Sequence, residues 1–425
     1  MTNYDNALEY LKKTSRRGSK LGLERIRQIM TLLDEPQNKV KAVHISGTNG
    51  KGSFGAMLCS VLKAAGYLTG SFSSPAITEV TDSFRINGSE ILREEFGDLI
   101  CSLTPLCESI NDKPTEFEVL TAAAYKLFAD KNCDISIVEC GMGGDLDSTN
   151  VIDAPLLSVI TNVQKDHCSF LGNTTEEIAR HKSGIIRPGC PVLFGGNDPD
   201  ADRVIAEAAQ KAGSELYRTD LSRISDVCCS LGGTDFCFEG FGRLHICLTG
   251  TYQIYNAANV LTAVEILRKR GLNITDCDVR TGLENANWHG RFEIIKKDPL
   301  VIFDGSHNPC GIKCAADSIR LCSDKKAALL IGVMADKEYG LYADILGDLT
   351  DKAFTVKPDN PRALDSSLLA DSFNAKGIPT AYFTDLEKGV KSAYEYAQNR
   401  NIPLIALGSL YMYKEFIDAI EKLPD

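Results

Sequence analysis

The residues best suited to chemistry stand together in Gly47-Thr48-Asn49-Gly50-Lys51-Gly52-Ser53, after the apolar run Val40 to Ser46 and at the start of a helical pattern, Lys51 to Ala65. Glycines there let the chain curl so that successive N–H groups face one anion, and a helix N-terminus adds partial positive charge. A phosphate chain suits such a turn, with Lys51 placed for the β- and γ-phosphates and Ser53 for Mg2+. The common phosphate-loop spacing has Lys directly before Ser or Thr, whereas Gly52 intervenes here. The alternative is a plain Gly-rich turn; its placement between strand and helix weighs against that.

Other candidates also follow apolar runs. Glu139 ends Ile135 to Glu139 and leads into the Gly-rich stretch through Asn150. A carboxylate at the C-terminal edge of a strand is where open α/β sheets place ligand chemistry, the alternative being a solvated strand-end acid. His167 lies in Asp166-His167-Cys168-Ser169-Phe170-Leu171-Gly172. By itself it reads as a hydrogen-bonded structural histidine or a metal ligand, and imidazole is an unusual ligand for Mg2+, which prefers oxygen. Lys182, in Arg180-His181-Lys182-Ser183-Gly184-Ile185, read alone is a helix-surface lysine. Asp304-Gly305-Ser306-His307-Asn308-Pro309 follows the run Leu300 to Phe303 and so sits at another strand end.

Strands at Val40 to Ser46, Ile135 to Glu139 and Leu156 to Ile160 must position the first group, alternating with helices at Lys51 to Ala65, Thr115 to Ala129 and Thr175 to Gly184. This alternation predicts a parallel sheet flanked by helices. A second series, Leu300 to Phe303, Ala327 to Gly332, Ala353 to Val356 and Ile402 to Leu407, predicts another α/β unit without a Gly-rich loop. The expected domains are 1–290 and 291–425, consistent with a 425-residue chain too long for one core.

Composition narrows the partners. A hydrophobic content of 44% with 24% charged residues is that of a globular protein. The net charge of −11 argues against a nucleic-acid or anionic-membrane surface while leaving room for a local phosphate pocket. No apolar run reaches the roughly 18 residues of a spanning helix. The 15 cysteines, diluted along the chain and without a C-x-x-C, are expected to be mostly buried thiols in a reducing cytoplasm.

The G-T-N-G-K-G-S loop, the segment Lys20-Leu21-Gly22-Leu23-Glu24-Arg25-Ile26, and D-G-S-H-N-P together resemble the folylpolyglutamate synthase and dihydrofolate synthase branch of the Mur ligase superfamily. The resemblance extends nearly to the C-terminus. It implies an N-terminal Mur-type ATPase domain and a smaller C-terminal Rossmann-like α/β domain. It also implies ATP-dependent addition of glutamate to folates or to dihydropteroate through an acyl phosphate, in a protein expected to be a cytoplasmic monomer.

By residue, the resemblance assigns the loop Gly47 to Ser53, Gln253, Asn256, Arg291, Asp304 and His307 to nucleotide. Ser53, Ser74, Glu139 and His167 are assigned to Mg2+, two ions being expected and a monovalent cation allowed. Lys182 matches the carbamylated lysine of R-E-K-A-G-I, and is catalytic with Lys51 and His167. A lysine adds carbon dioxide only when neutral, which requires burial or nearby cations. Phe117, in the T-x-F-E-x-L-T-A match, reads as a pterin platform or a core aromatic, and Asp147 as a substrate contact or a turn acid. Asp336-Lys337 and Gly408-Ser409-Leu410-Tyr411 are assigned to the C-terminal domain and the amino-acid pocket.

Three positions depart from the family pattern. Ala76 replaces the His of T-S-P-H-L, Asp145 the Arg of G-G-R-L-D, and Tyr252 the His of H-Q-x-x-N-A-A. The first two leave open a related ligase with a different carboxylate acceptor. A nucleotide-dependent binding switch is the reading from another class; there is no N-K-x-D guanine motif, and a switch has no need of D-G-S-H-N-P.

Overall fold

The computed structural model describes residues 2–423. One sheet contains β1 (Lys41–Ser46), β2 (Thr69–Phe72), β3 (Phe84–Ile86), β4 (Ser89–Glu90), β5 (Ile135–Glu139), β6 (Leu157–Ile160), β7 (Val192–Phe194) and β8 (Leu216–Arg218). Their order is β4-β3-β2-β5-β1-β6-β7-β8. Only β3 and β4 run antiparallel to their neighbours. The central strands β5 and β6 are buried along their whole length, and β1 from Ala42 onward. That is why they read as continuous apolar runs rather than alternating ones.

The chain leaves β1 for β2, which lies beyond β5, then returns through β5 and crosses to β6 on the other side of β1. Registers Ile45↔Glu139 and Ser46↔Ile160 bring the ends of β5, β1 and β6 level. The loops leaving these strands therefore emerge side by side at the C-terminal edge, the ligand edge of an open α/β sheet.

Helices cover this sheet. Those at Glu116–Asp130 and Thr175–Ser183 each begin with a capping box, Thr115 with Glu118 and Thr174 with Glu177, which satisfies N–H groups that a helix start leaves unpaired. Arg25 Nε–H is shared between both Glu118 carboxylate oxygens at 3.0 Å, tying the helix Glu24–Leu32 to Glu116–Asp130 through a buried charge pair. Phe72, Phe84, Phe96 and Phe128 lie in one core cluster; Ile160, Ile178, Phe194 and Ile205 lie in another.

A second sheet, β9 (Ile224–Ser230), β10 (Gly233–Phe238) and β11 (Gly242–Ile246), is an antiparallel meander that the sequence reading did not anticipate. Most of β9 is exposed, so it lacks a strong apolar pattern. The third sheet comprises β12 (Glu293–Lys297), β13 (Leu300–Asp304), β14 (Ala327–Ile331), β15 (Thr350–Val356), β16 (Thr380–Phe383) and β17 (Leu404–Leu407). Its order is β12-β13-β17-β14-β15-β16, with only β12 antiparallel. Its core includes Ile302, Leu329, Tyr342, Phe373 and Ile405.

The chain groups into two compact units, Met1–Ser222 with Tyr255–Ala286, and Arg223–Ile254 with Asn287–Asp425. The meander thus belongs with the later residues although it precedes residue 290. Among the described residues, no helix is long and apolar enough to cross a membrane.

Candidate functional site

The loop after β1 is held by the segment that follows β6. Thr48 N–H donates to the Asn162 carbonyl at 3.1 Å and Asn49 N–H to Asn162 Oδ1 at 2.9 Å. Thr161 Oγ1 donates to the Asn49 carbonyl at 2.7 Å, and Gln164 N–H to Thr48 Oγ1 at 3.0 Å. Two glycines are required here by space as well as conformation. A Cβ on Gly47, φ +147°, would lie 1.9 Å from Thr161 Oγ1, and one on Gly50, φ +84°, would lie 2.3 Å from Asn256 Oδ1. The Asn256 side chain therefore lies against the loop. The sequence reading missed Thr161, Asn162 and Gln164, since the neighbour of β1 cannot be read from local pattern.

Two lysines converge on one carbonyl. Lys51 Nζ donates to the Gly47 carbonyl at 3.1 Å and lies 3.8 Å from Glu139 Oε1, while Lys182 Nζ donates to the same carbonyl at 2.8 Å. Lys182 is buried, not on a helix surface. Burial, followed by the nearby charge of Lys51, lowers its amine to about 7 from an ordinary 10.5. Burial thus disfavours the charged form of this lysine, unlike that of a solvated surface cation.

Beneath the loop lies a buried polar network. His44 Nε2 is 2.9 Å from Thr149 Oγ1 and 3.2 Å from Cys140 Sγ. Thr149 Oγ1 donates its one proton to Asp147 Oδ1 at 2.6 Å, so toward His44 it accepts, which assigns the imidazole proton to Nε2. Burial drives His44 down to about 3. Asp147 also accepts from Met142 N–H at 2.8 Å and Thr149 N–H at 3.0 Å. Burial pushes its carboxyl up, against those hydrogen bonds. These bonds make Asp147 the organiser of the turn after β5, the turn-acid alternative of the sequence reading.

Glu139 ends β5, and Ser74, Ser53 and His167 follow β2, β1 and β6; the four strands are adjacent and parallel, so these residues belong to one edge of the sheet. Glu139 and Ser53 are buried. His167 has φ 51° and places Nε2 4.0 Å from Asp166 Oδ2. Asp82 shapes the Ser74 loop by accepting from Ile77 N–H at 3.0 Å and Thr78 N–H at 2.6 Å. Phe117 is partly buried, its ring 5.9 Å from that of Phe72, and a Cβ on Gly141 would lie 2.7 Å from its Cζ. Asp145 pairs with His181 Nδ1 at 2.9 Å.

In the second unit, Asp304 ends β13 as expected, but its carboxylate serves the chain itself. It accepts from Tyr252 Oη at 2.6 Å, Phe292 N–H at 2.8 Å and Ser306 N–H at 2.7 Å. Phe292 is held at φ 48°, so Asp304 fixes the backbone directly after Arg291 in a conformation that non-glycine residues rarely adopt. Tyr252 supplies this hydrogen bond where the family pattern has His. His307 Nδ1 donates to the Gly305 carbonyl at 2.9 Å, and Gln253 is fully buried.

Among the described residues, no three or more His, Cys, Asp or Glu side chains group as a metal site. One carboxylate and hydroxyls at a phosphate loop fit Mg2+, which takes few protein ligands and fills its shell with water and phosphate oxygen. Glu139 and Ser53 fit that description.

Comparison with known proteins follows the same lines. The chain matches the Mur ligase middle domain over residues 45–264 and the Mur ligase, glutamate ligase domain over residues 290–409. It is 34% identical to the dihydrofolate synthase/folylpolyglutamate synthase of Bacillus subtilis, with 99% of each chain covered. It is 31% identical to the protein of the same name from Escherichia coli, over 86% of this chain and 84% of that one. Folylpolyglutamate synthase of Mycobacterium tuberculosis, complexed with ADP and AMPPCP, superposes with a TM-score of 0.90 at 26% identity, covering 100% of this chain and 99% of that one. E. coli FolC in complex with DHPP and ADP gives 0.85 at 26% identity, with 99% of each chain covered.

Proposed function

This chain belongs to the folylpolyglutamate synthase/dihydrofolate synthase family of Mur ligases, an ATP-dependent glutamate ligase by that membership, and we propose how its residues carry out the reaction. The observation that carries the reading is the convergence of Lys51 and Lys182 on the Gly47 carbonyl inside a phosphate loop.

ATP binds with its phosphates on the N–H groups of Gly47 to Ser53. Lys51 turns from Glu139 to the β- and γ-phosphates, and the released carboxylate, with Ser53, Ser74 and His167, would hold Mg2+. When bound, the ion offsets charge on the transferred phosphoryl group. The γ-phosphoryl passes to the acceptor carboxylate, whose oxygen becomes part of a leaving group. The amine of glutamate attacks the acyl phosphate, a tetrahedral intermediate forms, and phosphate departs as the amide closes. Asn256 serves the nucleotide-binding loop; within the second unit, Asp304 and Tyr252 fix the backbone beside Arg291. Phe117 offers a ring face to the pterin. The loop, Lys51 and Glu139 act by position and electrostatics.

Lys182 is carbamylated in this reading. Its burial supplies the neutral amine that carbon dioxide requires, and the resulting carboxylate puts in place of that amine a group that orders the edge of the sheet.

The test is mass spectrometry of products formed from Mg-ATP, glutamate and either dihydropteroate or tetrahydrofolate, with phosphate release followed alongside. The expected result is a gain of one or more glutamyl units with equal ADP and phosphate. No gain with either acceptor, from protein that still binds ATP, would transfer the chemistry to another carboxylate.

A further inference from the structure

Asp145 and His181 occupy two positions where the family pattern has other charges, Arg in G-G-R-L-D and Glu in R-E-K-A-G-I. Considered singly, Asp145 reverses the charge of a turn beside the site. The structure brings the two positions together. His181 Nδ1 lies 2.9 Å from Asp145 Oδ2 and 3.0 Å from Oδ1.

The contact joins two segments that are interlocked around it. Asp145 N–H donates to the His181 carbonyl at 2.9 Å, and Leu146 N–H donates to Asp145 Oδ1 at 2.9 Å. Asn150 Nδ2 bridges the two segments, donating to the Asp145 carbonyl at 3.1 Å and to that of Gly184 at 3.0 Å. The approach is so close that a Cβ on Gly184 would lie 2.3 Å from Asp145 Cβ, and one on Gly144 would lie 2.8 Å from the His181 and Lys182 carbonyls. The residue after His181 is Lys182, whose amine reaches the phosphate-loop carbonyl at 2.8 Å. A displacement of the last turn of the helix Thr175–Ser183 would carry that amine with it, and an ångström at a reacting centre is costly.

We propose that Asp145 and His181 are a positioning pair that fixes Lys182 against the phosphate loop, and that Asp145 therefore does not select the acceptor. The Asp145 carboxylate is engaged by His181 and by Leu146 N–H, so the departure from G-G-R-L-D is no argument against a folate substrate. This rests on the reading of Lys182 as part of the catalytic site.

The experiment is steady-state kinetics, with KM for the folate acceptor and kcat measured separately, on Asp145→Arg, His181→Glu and the double variant. Thermal unfolding accompanies each. Each single change breaks the pair, His181→Glu by setting two carboxylates against each other and Asp145→Arg by removing the acceptor of His181 Nδ1, and lowers kcat about tenfold, within the coupling range for residues in contact, with little change in acceptor KM. The double variant recovers most of that loss. A double variant no better than the worse single variant overturns the pair, and so does an Asp145→Arg effect confined to acceptor KM. Should the charge variants not fold, Asp145→Asn and His181→Gln carry the test. If positioning depends on the pair, each lowers kcat and their combination costs less than the product of the two; independent multiplication overturns it. Lys182→Ala separates the two readings. If it keeps wild-type turnover, the catalytic reading of Lys182 falls and the pair has nothing to position. If it is inactive while the pair shows no coupling, only the pair falls.

Discussion

Replacing Lys182 by Met should abolish turnover and at the same time make the protein more stable near neutral pH. The amine is buried and its folded-state value is about 7 against 10.5 for an ordinary lysine. At about 1.4 kcal/mol per pKa unit, holding that group in the fold costs about 4 kcal/mol at pH 7. Met has nearly the same length and no charge to desolvate. It gives up the bond to the Gly47 carbonyl, worth about 1–2 kcal/mol, but that carbonyl still accepts from Lys51. The net gain is about 2 kcal/mol.

The pH window follows from the direction of the shift. Between about 7 and 10.5 the unfolded chain holds a proton at Lys182 that the folded chain has lost, so wild-type stability rises with pH across that range. The advantage of the Met variant is therefore full at pH 7 and below, shrinks as pH rises, and reverses before pH 10.5, where the lost hydrogen bond is nearly all that remains. Urea denaturation of both proteins from pH 6.5 to 10, in buffer freed of carbon dioxide, measures it. Parallel stability curves across this window, or a Met variant less stable at pH 7, would refute the buried neutral amine.

Lys51→Ala should lower kcat/KM by about a thousandfold, the scale for losing a preorganised charge at a transition state, with the unfolding midpoint little changed. Turnover within tenfold of wild type would remove Lys51 from the phosphates. Gly50→Ala should weaken ATP binding in titration calorimetry and cost about 1–3 kcal/mol of stability, because φ +84° and the Asn256 side chain both exclude a Cβ. His44 is buried neutral with a value of about 3 against 6.5 unfolded, so the stability it contributes is complete above pH 6.5 and is lost as pH falls toward 3. About 2 kcal/mol should have gone by pH 5. A His44→Asn variant whose acid sensitivity between pH 6.5 and 4 equals that of the wild type would contradict this.

Much of this protein is legible residue by residue. The phosphate loop could be read because its requirements are local: glycines where the backbone turns, a lysine and a hydroxyl at a helix start, an apolar strand before them. Buried parallel strands such as Ile135–Glu139 were visible because both their faces are covered. The exposed β9 left no such trace, and a meander built on it went unread.

What only the tertiary structure decided is who stands next to whom. Nothing in the order of residues says that β1 lies between β5 and β6, yet this brings Glu139 beside the loop and Asn162 beneath it. Lys182 and Gly47 are 135 positions apart, and their contact turns a nominal surface lysine into a buried amine that ionises near 7. Asp147 and Asp304 stand where the motifs predict, but their hydrogen-bond partners show them to be holding backbone. A motif records the type of a side chain. Its charge state and its duties depend on the dielectric and the donors around it, which come into being only when distant segments pack together.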